Sequence, residues 1–114
     1  MIGMKNFISL KNRKEFGNVY QCGKSFANKY LVMYVLEKDD NENRLGISVS
    51  KKVGNSVVRH RVTRLIRESY RLHQTEFNAG YDIVVVARVN VKDCNYWDVE
   101  RAFLHLAKLH HLVG

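Results

Sequence analysis

The segment Ser48–Arg71 reads Ser-Val-Ser-Lys-Lys-Val-Gly-Asn-Ser-Val-Val-Arg-His-Arg-Val-Thr-Arg-Leu-Ile-Arg-Glu-Ser-Tyr-Arg, and it constrains the chain more than any other. It begins as the end of a strand, passes through a Gly54-Asn55 turn and continues as a helix capped by Asn55 or Ser56. From Lys51 to Arg71 it holds seven Lys or Arg and one acid, Glu68. At about 100° per residue, Val58, Val62, Leu65, Ile66 and Ser69 fall on one side of that helix. His60, Arg64, Arg67 and Arg71 fall opposite, with Arg59 and Arg61 at the borders. One side can dock on a core. The other is a row of like charges that repel one another unless an anion meets them. Arginine dominates the row, and its planar fork suits phosphate oxygens.

The whole chain carries the same sign. Its 114 residues hold 19 Lys+Arg against 11 Asp+Glu, a net charge of +8. A domain this basic meets nucleic acid or an anionic surface. The length fits one RNA-binding domain over residues 1–114. No apolar run approaches the roughly 18 residues of a membrane span. Met1–Asn6 has no apolar core of a signal peptide, so the expected compartment is the cytoplasm. Cys22 and Cys94 are read as reduced structural thiols.

In chain order, residues 1–8 form a basic lead-in. Ser9 is the expected cap of a first helix from Leu10 to Gln21, ended by Gly23 and carrying Phe16 and Tyr20 one turn apart. Residues 25–37 are expected as one long strand. Alternation assigns Ala27, Leu31, Met33 and Val35 to the core and Phe26, Asn28, Tyr30, Val32 and Tyr34 to a half-exposed face. The polar turn Asp39–Asn43 predicts a hairpin to a second strand, Arg44–Ser50. There Leu45, Ile47 and Val49 face the core, and the small Gly46, Ser48 and Ser50 leave an open floor. A third strand, Tyr81–Arg88, is apolar without alternation, as a strand covered on both faces would be. The last helix, Asn95–Leu109, buries Val99, Ala102, Phe103, Leu106 and Leu109, with Trp97 near its start. The order is α-β-β-α-β-α, a small α+β sandwich with a β-α-β crossover through the arginine-rich helix. If those strands are parallel, a right-handed crossover is the general expectation.

Two surfaces emerge. The first is the arginine helix with Lys51 and Lys52, suited to a phosphate backbone. The second is the sheet face with Tyr30, Val32 and Tyr34, bordered by Phe16 and Tyr20. Flat aromatics beside a basic groove suit the stacked bases of an unpaired strand. For catalysis by the polypeptide the residues offer little. His60, His73, His105, His110 and His111 have no metal-ligand spacing, and Asp82, Asp93, Asp98 and Glu100 have none that pairs carboxylates. No catalytic residue, metal ligand or protein-bound cofactor is expected.

Lys51-Lys52-Val53-Gly54-Asn55-Ser56-Val57-Val58-Arg59-His60-Arg61, followed by Arg64-Leu65-Ile66-Arg67-Glu68, closely resembles the signature of the bacterial ribonuclease P protein subunit. The family core reads Arg-Asn-Arg and then Lys-Arg-Leu-Ile-Arg. Here His60 replaces the usual Asn and Thr63 a common Lys. The likeness runs from about Leu10 to the last helix. It implies a fold shared with a domain of a ribosomal protein and a left-handed crossover through the arginine helix. It also implies a ribonucleoprotein endoribonuclease that removes the 5′ leader of precursor tRNA. By position, Lys51, Lys52, Asn55, Arg59, His60, Arg61, Arg64, Arg67 and Arg71 would contact the catalytic RNA. Phe16, Tyr20, Tyr30, Val32 and Tyr34 would take the single-stranded leader. The RNA would do the chemistry, with Mg²⁺ bound mainly by the RNA. Its partners would be that RNA and precursor tRNA, with no membrane, DNA or further protein required. The rival readings are a structural RNA-binding protein of the same fold, a DNA-binding module and a protein-only nuclease. Use of the aromatic face separates the first; absence of a dimer seam and of a carboxylate cluster weakens the others.

Overall fold

A computed structural model of the chain describes residues 7–113. The basic lead-in before Phe7 therefore falls outside the described residues. The elements are β1 (Ile8–Ser9), α1 (Arg13–Cys22), β2 (Lys24–Ala27), β3 (Leu31–Glu37), β4 (Arg44–Ser48), α2 (Ser56–His73), β5 (Tyr81–Ala87) and α3 (Tyr96–Leu109). Short 3₁₀ turns at Gln74–Glu76 and Val89–Asp93 lead into β5 and α3. The strands form one sheet in the order β1-β4-β5-β3-β2. This is the expected α+β class, with two additional strands.

Strand β5 is central, as its uninterrupted apolar run predicts. It pairs parallel to β4, Leu45 opposite Ile83, and antiparallel to β3, Met33 opposite Val85. Ile83, Val85 and Ala87 join Leu31, Met33, Leu45, Val62, Ile66, Phe103 and Leu106 in the main core beneath α2 and α3. Val84 points the other way and meets Leu10 and Val19 beneath α1. The sheet is thus covered on both faces, with α2 and α3 on one and α1 on the other. Burial of a Leu, Ile or Phe side chain is worth about 1.5–3 kcal/mol, so the fully buried Phe103 and Ile83 are principal ties between helices and sheet.

Several expectations are corrected. Helix α1 is capped by Asn12, whose Oδ1 accepts from Glu15 N at 2.9 Å, because Ser9 is already engaged in β1 beside Leu45. Gly23 ends the helix as expected, its N–H donating to Val19 O. The stretch 25–37 is two strands, not one. Asn28 Oδ1 accepts from Tyr30 N and Leu31 N at 3.1 and 3.0 Å, turning the chain at Lys29-Tyr30 into a hairpin in which Ala27 faces Val32. Strands β3 and β4 form no hairpin across Asp39–Asn43; β5 lies between them. In α3, Leu109 is 39% exposed, and Ala107 with Leu112 takes its expected place in the core. Asn95 and Asp98 cap that helix reciprocally. No helix among the described residues is long and apolar enough to cross a membrane.

Candidate RNA interface

Helix α2 has the two sides its periodicity predicts. Val62, Ile66 and Ser69 are buried and Val58 and Leu65 half-buried; Tyr70, unassigned by the wheel, is also buried. Asn55 starts the helix by accepting from Val58 N at 3.0 Å, and the buried Val53 pins the preceding turn so that Lys51 and Lys52 project outward. His60, Arg61, Arg64 and Arg67 are exposed, as expected.

The arginines are not equivalent. Arg61 donates from Nη2 to Cys94 O at 2.6 Å, so its guanidinium is held at the foot of α3. Arg71 is clamped to Glu68 by Nε–Oε1 and Nη2–Oε2 bonds of 2.8 and 2.6 Å. Its charge is therefore largely matched inside the protein, and Glu68 is held below the usual carboxylate range by the same hydrogen bonds. Arg59 is half-buried, and its Nε is buried without a hydrogen-bond partner among the described residues. Neither Arg64 nor Arg67 has a hydrogen bond or close ion pair among the described residues. The outward charge of α2 is thus concentrated at Arg61, Arg64 and Arg67 rather than spread evenly to Arg71.

The aromatic surface lies on the α1 face of the sheet. The Tyr20 ring stands 4.9 Å from that of Tyr34, at 80°, and 6.4 Å from that of Phe16. Phe16 covers Gly46 of β4: a β-carbon there would meet Phe16 Cζ at 2.6 Å. The open floor expected over Gly46 is thus roofed by Phe16 and Leu10. Val32 stands between Ala27 and Val86 on this face. Tyr30 does not join the group. The Lys29-Tyr30 turn breaks the alternation, and its ring packs against the main core on the opposite side. Phe26 is displaced for the same reason, lying 4.7 Å from the His110 ring on the α3 side.

A shallow cleft of about 140 Å³ joins the two surfaces, lined by Phe16, Gly46, Ile47, Thr63 and Arg67 among others. Its geometry depends on a charged anchor that sequence reasoning missed. Arg44 grips the buried Asp82 through Nε and Nη2 at 2.9 and 2.8 Å and reaches Glu15 of α1 through Nη1 at 2.8 Å. Lys38 adds a contact to Asp82 at 3.1 Å. Burial would raise the Asp82 carboxyl, but hydrogen bonds from Arg44 and Lys38 outweigh it and leave it below its ordinary value. Opposite charges at the starts of two apolar strands were the available signal. Cys22 and Cys94 are free thiols, and no group of three or more His, Cys, Asp or Glu among the described residues could hold a metal ion.

This arrangement has close counterparts. The family described as Ribonuclease P matches residues 4–110. The chain is 65% identical over 106 residues to the ribonuclease P protein component of Lachnoclostridium phytofermentans, covering 93% of this chain and 91% of that one. It is 48% identical over 111 residues to that of Alkaliphilus oremlandii, covering 97% of each. The RNase P protein of Staphylococcus aureus has the same fold at a TM-score of 0.87 and 34% identity, covering 96% of this chain and 100% of that one. That of Thermotoga maritima follows at 0.82 and 30% identity, covering 89% and 96%. With the sequence likeness running nearly end to end and the fold in agreement, the chain belongs to the bacterial ribonuclease P protein family.

Proposed function

We propose that the protein is the RNA-binding subunit of a ribonuclease P ribonucleoprotein, engaging the catalytic RNA through α2 and the single-stranded 5′ leader of precursor tRNA through the α1 face. The observation that carries this reading is the cleft where Phe16 and Arg67 meet. It links a row of stackable rings to a row of guanidinium groups, the pairing an unpaired RNA strand requires. Lys51, Lys52, His60, Arg61, Arg64 and Arg67 face the phosphates of the catalytic RNA. Arg59 and Asn55 support them at the helix start, and Arg71 contributes less because Glu68 holds it. Phe16, Tyr20, Val32 and Tyr34 receive leader bases, without Tyr30.

On this reading the chemistry belongs to the RNA and the polypeptide serves binding and orientation. Mg²⁺ held by the RNA would supply the activated water for attack on the scissile phosphate. The protein lowers the cost of assembling polyanions and orients the leader. His60, where relatives of the motif carry Asn, keeps hydrogen-bonding capacity in a different shape.

The test is 5′-leader cleavage of a precursor tRNA at near-physiological Mg²⁺, with a bacterial ribonuclease P RNA alone, this protein alone, and both. Cleavage that requires both is the expected result. Cleavage by the protein alone would overturn the reading. Tight RNA binding with no cleavage in any mixture would favour a structural RNA-binding role.

A further inference from the structure

The side of α2 away from the leader cleft carries a second feature. A concavity of about 330 Å³ between α2 and the start of α3 is lined by Arg61, Arg64, Leu65, Glu68 and Tyr96. It shares Arg61 and Arg64 with a neighbouring hollow that runs over Ser56, Val57 and His60. Trp97, the chain's single tryptophan, adjoins it: its ring lies 6.1 Å from that of Tyr96, at 75°, and the residue is 66% exposed. An indole so exposed is an unusual expense of apolar surface beside a basic groove.

Charge favours an anion here. Three carboxylates near the groove are already engaged, Glu68 by Arg71, Glu100 by His73 and Tyr96, and Asp98 by the Asn95 N–H with Arg101 at 3.8 Å, while Asp93 beside Cys94 is exposed to solvent. Arg61 is held in place by Cys94 O, two residues before Tyr96. Fixed guanidinium beside flat rings is the arrangement that takes a nucleotide, phosphate on one and base on the other.

We infer that this groove is a stacking site for an unpaired base of the catalytic RNA, with Trp97 and Tyr96 as the platform and Arg61 and Arg64 on the adjoining phosphate. The inference deepens the function proposed above and rests on it. It adds residues of α3 to an interface otherwise confined to α2 and its leading turn. The site lies in the helix layer opposite α1, away from Phe16 and Tyr34, so its strand is distinct from the leader.

Trp97 supplies its own reporter. Its fluorescence is followed while the full-length protein is titrated with a bacterial ribonuclease P RNA, and separately with a precursor tRNA, binding being scored independently by gel shift. Quenching that saturates with the ribonuclease P RNA is expected. Trp97→Ala should weaken that binding about tenfold with an unchanged salt slope, because stacking releases no counterions. Trp97→Phe should restore most of it. Unchanged emission at saturation together with affinity of Trp97→Ala within twofold of the parent would overturn the inference. So would quenching by precursor tRNA alone, or emission that changes with protein concentration in the absence of RNA, as a contact between copies would give. The function proposed above fails separately, if Arg64→Ala with Arg67→Ala leaves RNA binding intact.

Discussion

The ring of Phe16 rests on Gly46, so closely that a β-carbon at position 46 would stand 2.6 Å from Cζ and 2.8 Å from Cε2. Glycine in β4 therefore sets where the first aromatic of the proposed leader surface sits. The obstructing atoms are the far end of a half-buried side chain, so Gly46→Ala should tilt the ring outward at a stability cost of about 1–2 kcal/mol. Affinity for precursor tRNA should fall several-fold while affinity for mature tRNA stays level. Adding Phe16→Ala to Gly46→Ala should cost little more than either alone, since both act through one ring. Fully additive losses would place the effect of Gly46 elsewhere.

Tyr34→Ala removes a ring without touching the main core. Stacking of one base is worth about 1–3 kcal/mol, roughly 5- to 150-fold in affinity. Binding of a precursor with a leader should drop within that range and binding of mature tRNA should not. Tyr30→Ala should instead lower stability, since its ring packs on the core, and should spare the difference between the two substrates. Urea unfolding beside equilibrium binding separates the two residues.

Arg64→Ala with Arg67→Ala should weaken binding to the catalytic RNA and reduce the slope of log K against log salt by about 1.5–2. Arg71→Ala should change that slope much less, because Glu68 already holds the guanidinium. Equal slopes for Arg71→Ala and Arg64→Ala would show that the ion pair opens on binding.

His73 joins the end of α2 to α3, with Nε2 on Glu100 at 2.8 Å and Nδ1 on Glu76 at 2.9 Å. The hydrogen bond to Glu100, then that to Glu76, raises its pKa above the ordinary 6.5 against an opposing effect of burial. A raised value means the imidazolium is favoured by folding. The stabilisation is complete below about pH 6.5 and is lost as the pH climbs through the folded-state value. Between pH 6 and 9 the parent protein should lose about 1–2 kcal/mol relative to His73→Gln in urea unfolding. Parallel pH profiles for the two would contradict the link.

Asp82 is buried beneath Arg44 and Lys38. Asp82→Asn removes the buried counter-charge the two cations share, leaving Arg44 only Glu15 and Lys38 only the exposed Asp40, and should cost about 3 kcal/mol. Its lowered pKa gives the opposite sign from His73: the stabilisation is present above the ordinary 3.8 and disappears as the pH falls through the folded value. Because Arg44 also holds Glu15, the variant should loosen α1 and weaken leader binding even where it remains folded. A variant with parental stability and parental leader affinity would show that the Arg44–Asp82 pair is dispensable to both.

The arginine helix, its cap and its buried stripe were legible because they depend on local spacing. The central position of β5 was legible because a strand covered on both faces needs no polar residues. Pairing between distant strands was not. Asp39–Asn43 announces a turn, but nothing in it says that the chain will leave room for β5 beside β3. The turn at Lys29-Tyr30 contains neither Gly nor Pro; only Asn28 marks it, and continuing the alternation through it put Tyr30 and Phe26 on the wrong face. Arg44 and Asp82 are 38 residues apart, and their partnership exists only once β4 and β5 lie side by side. Among the expected RNA-binding residues, helical phase found the exposed row but could not tell that Arg71 is paired or that Arg61 is tethered.

Helix α2 connects two neighbouring parallel strands at the middle of the sheet, so both of its ends are fastened to the most deeply packed part of the molecule. Its basic side cannot swing or fray as a terminal arm would. Partner RNA therefore meets a surface whose backbone entropy was already lost at folding, and little of the binding free energy is spent on ordering the protein. The converse follows by linkage: RNA that grips this helix holds β4 and β5 together, so the bound protein should resist unfolding in proportion to its affinity.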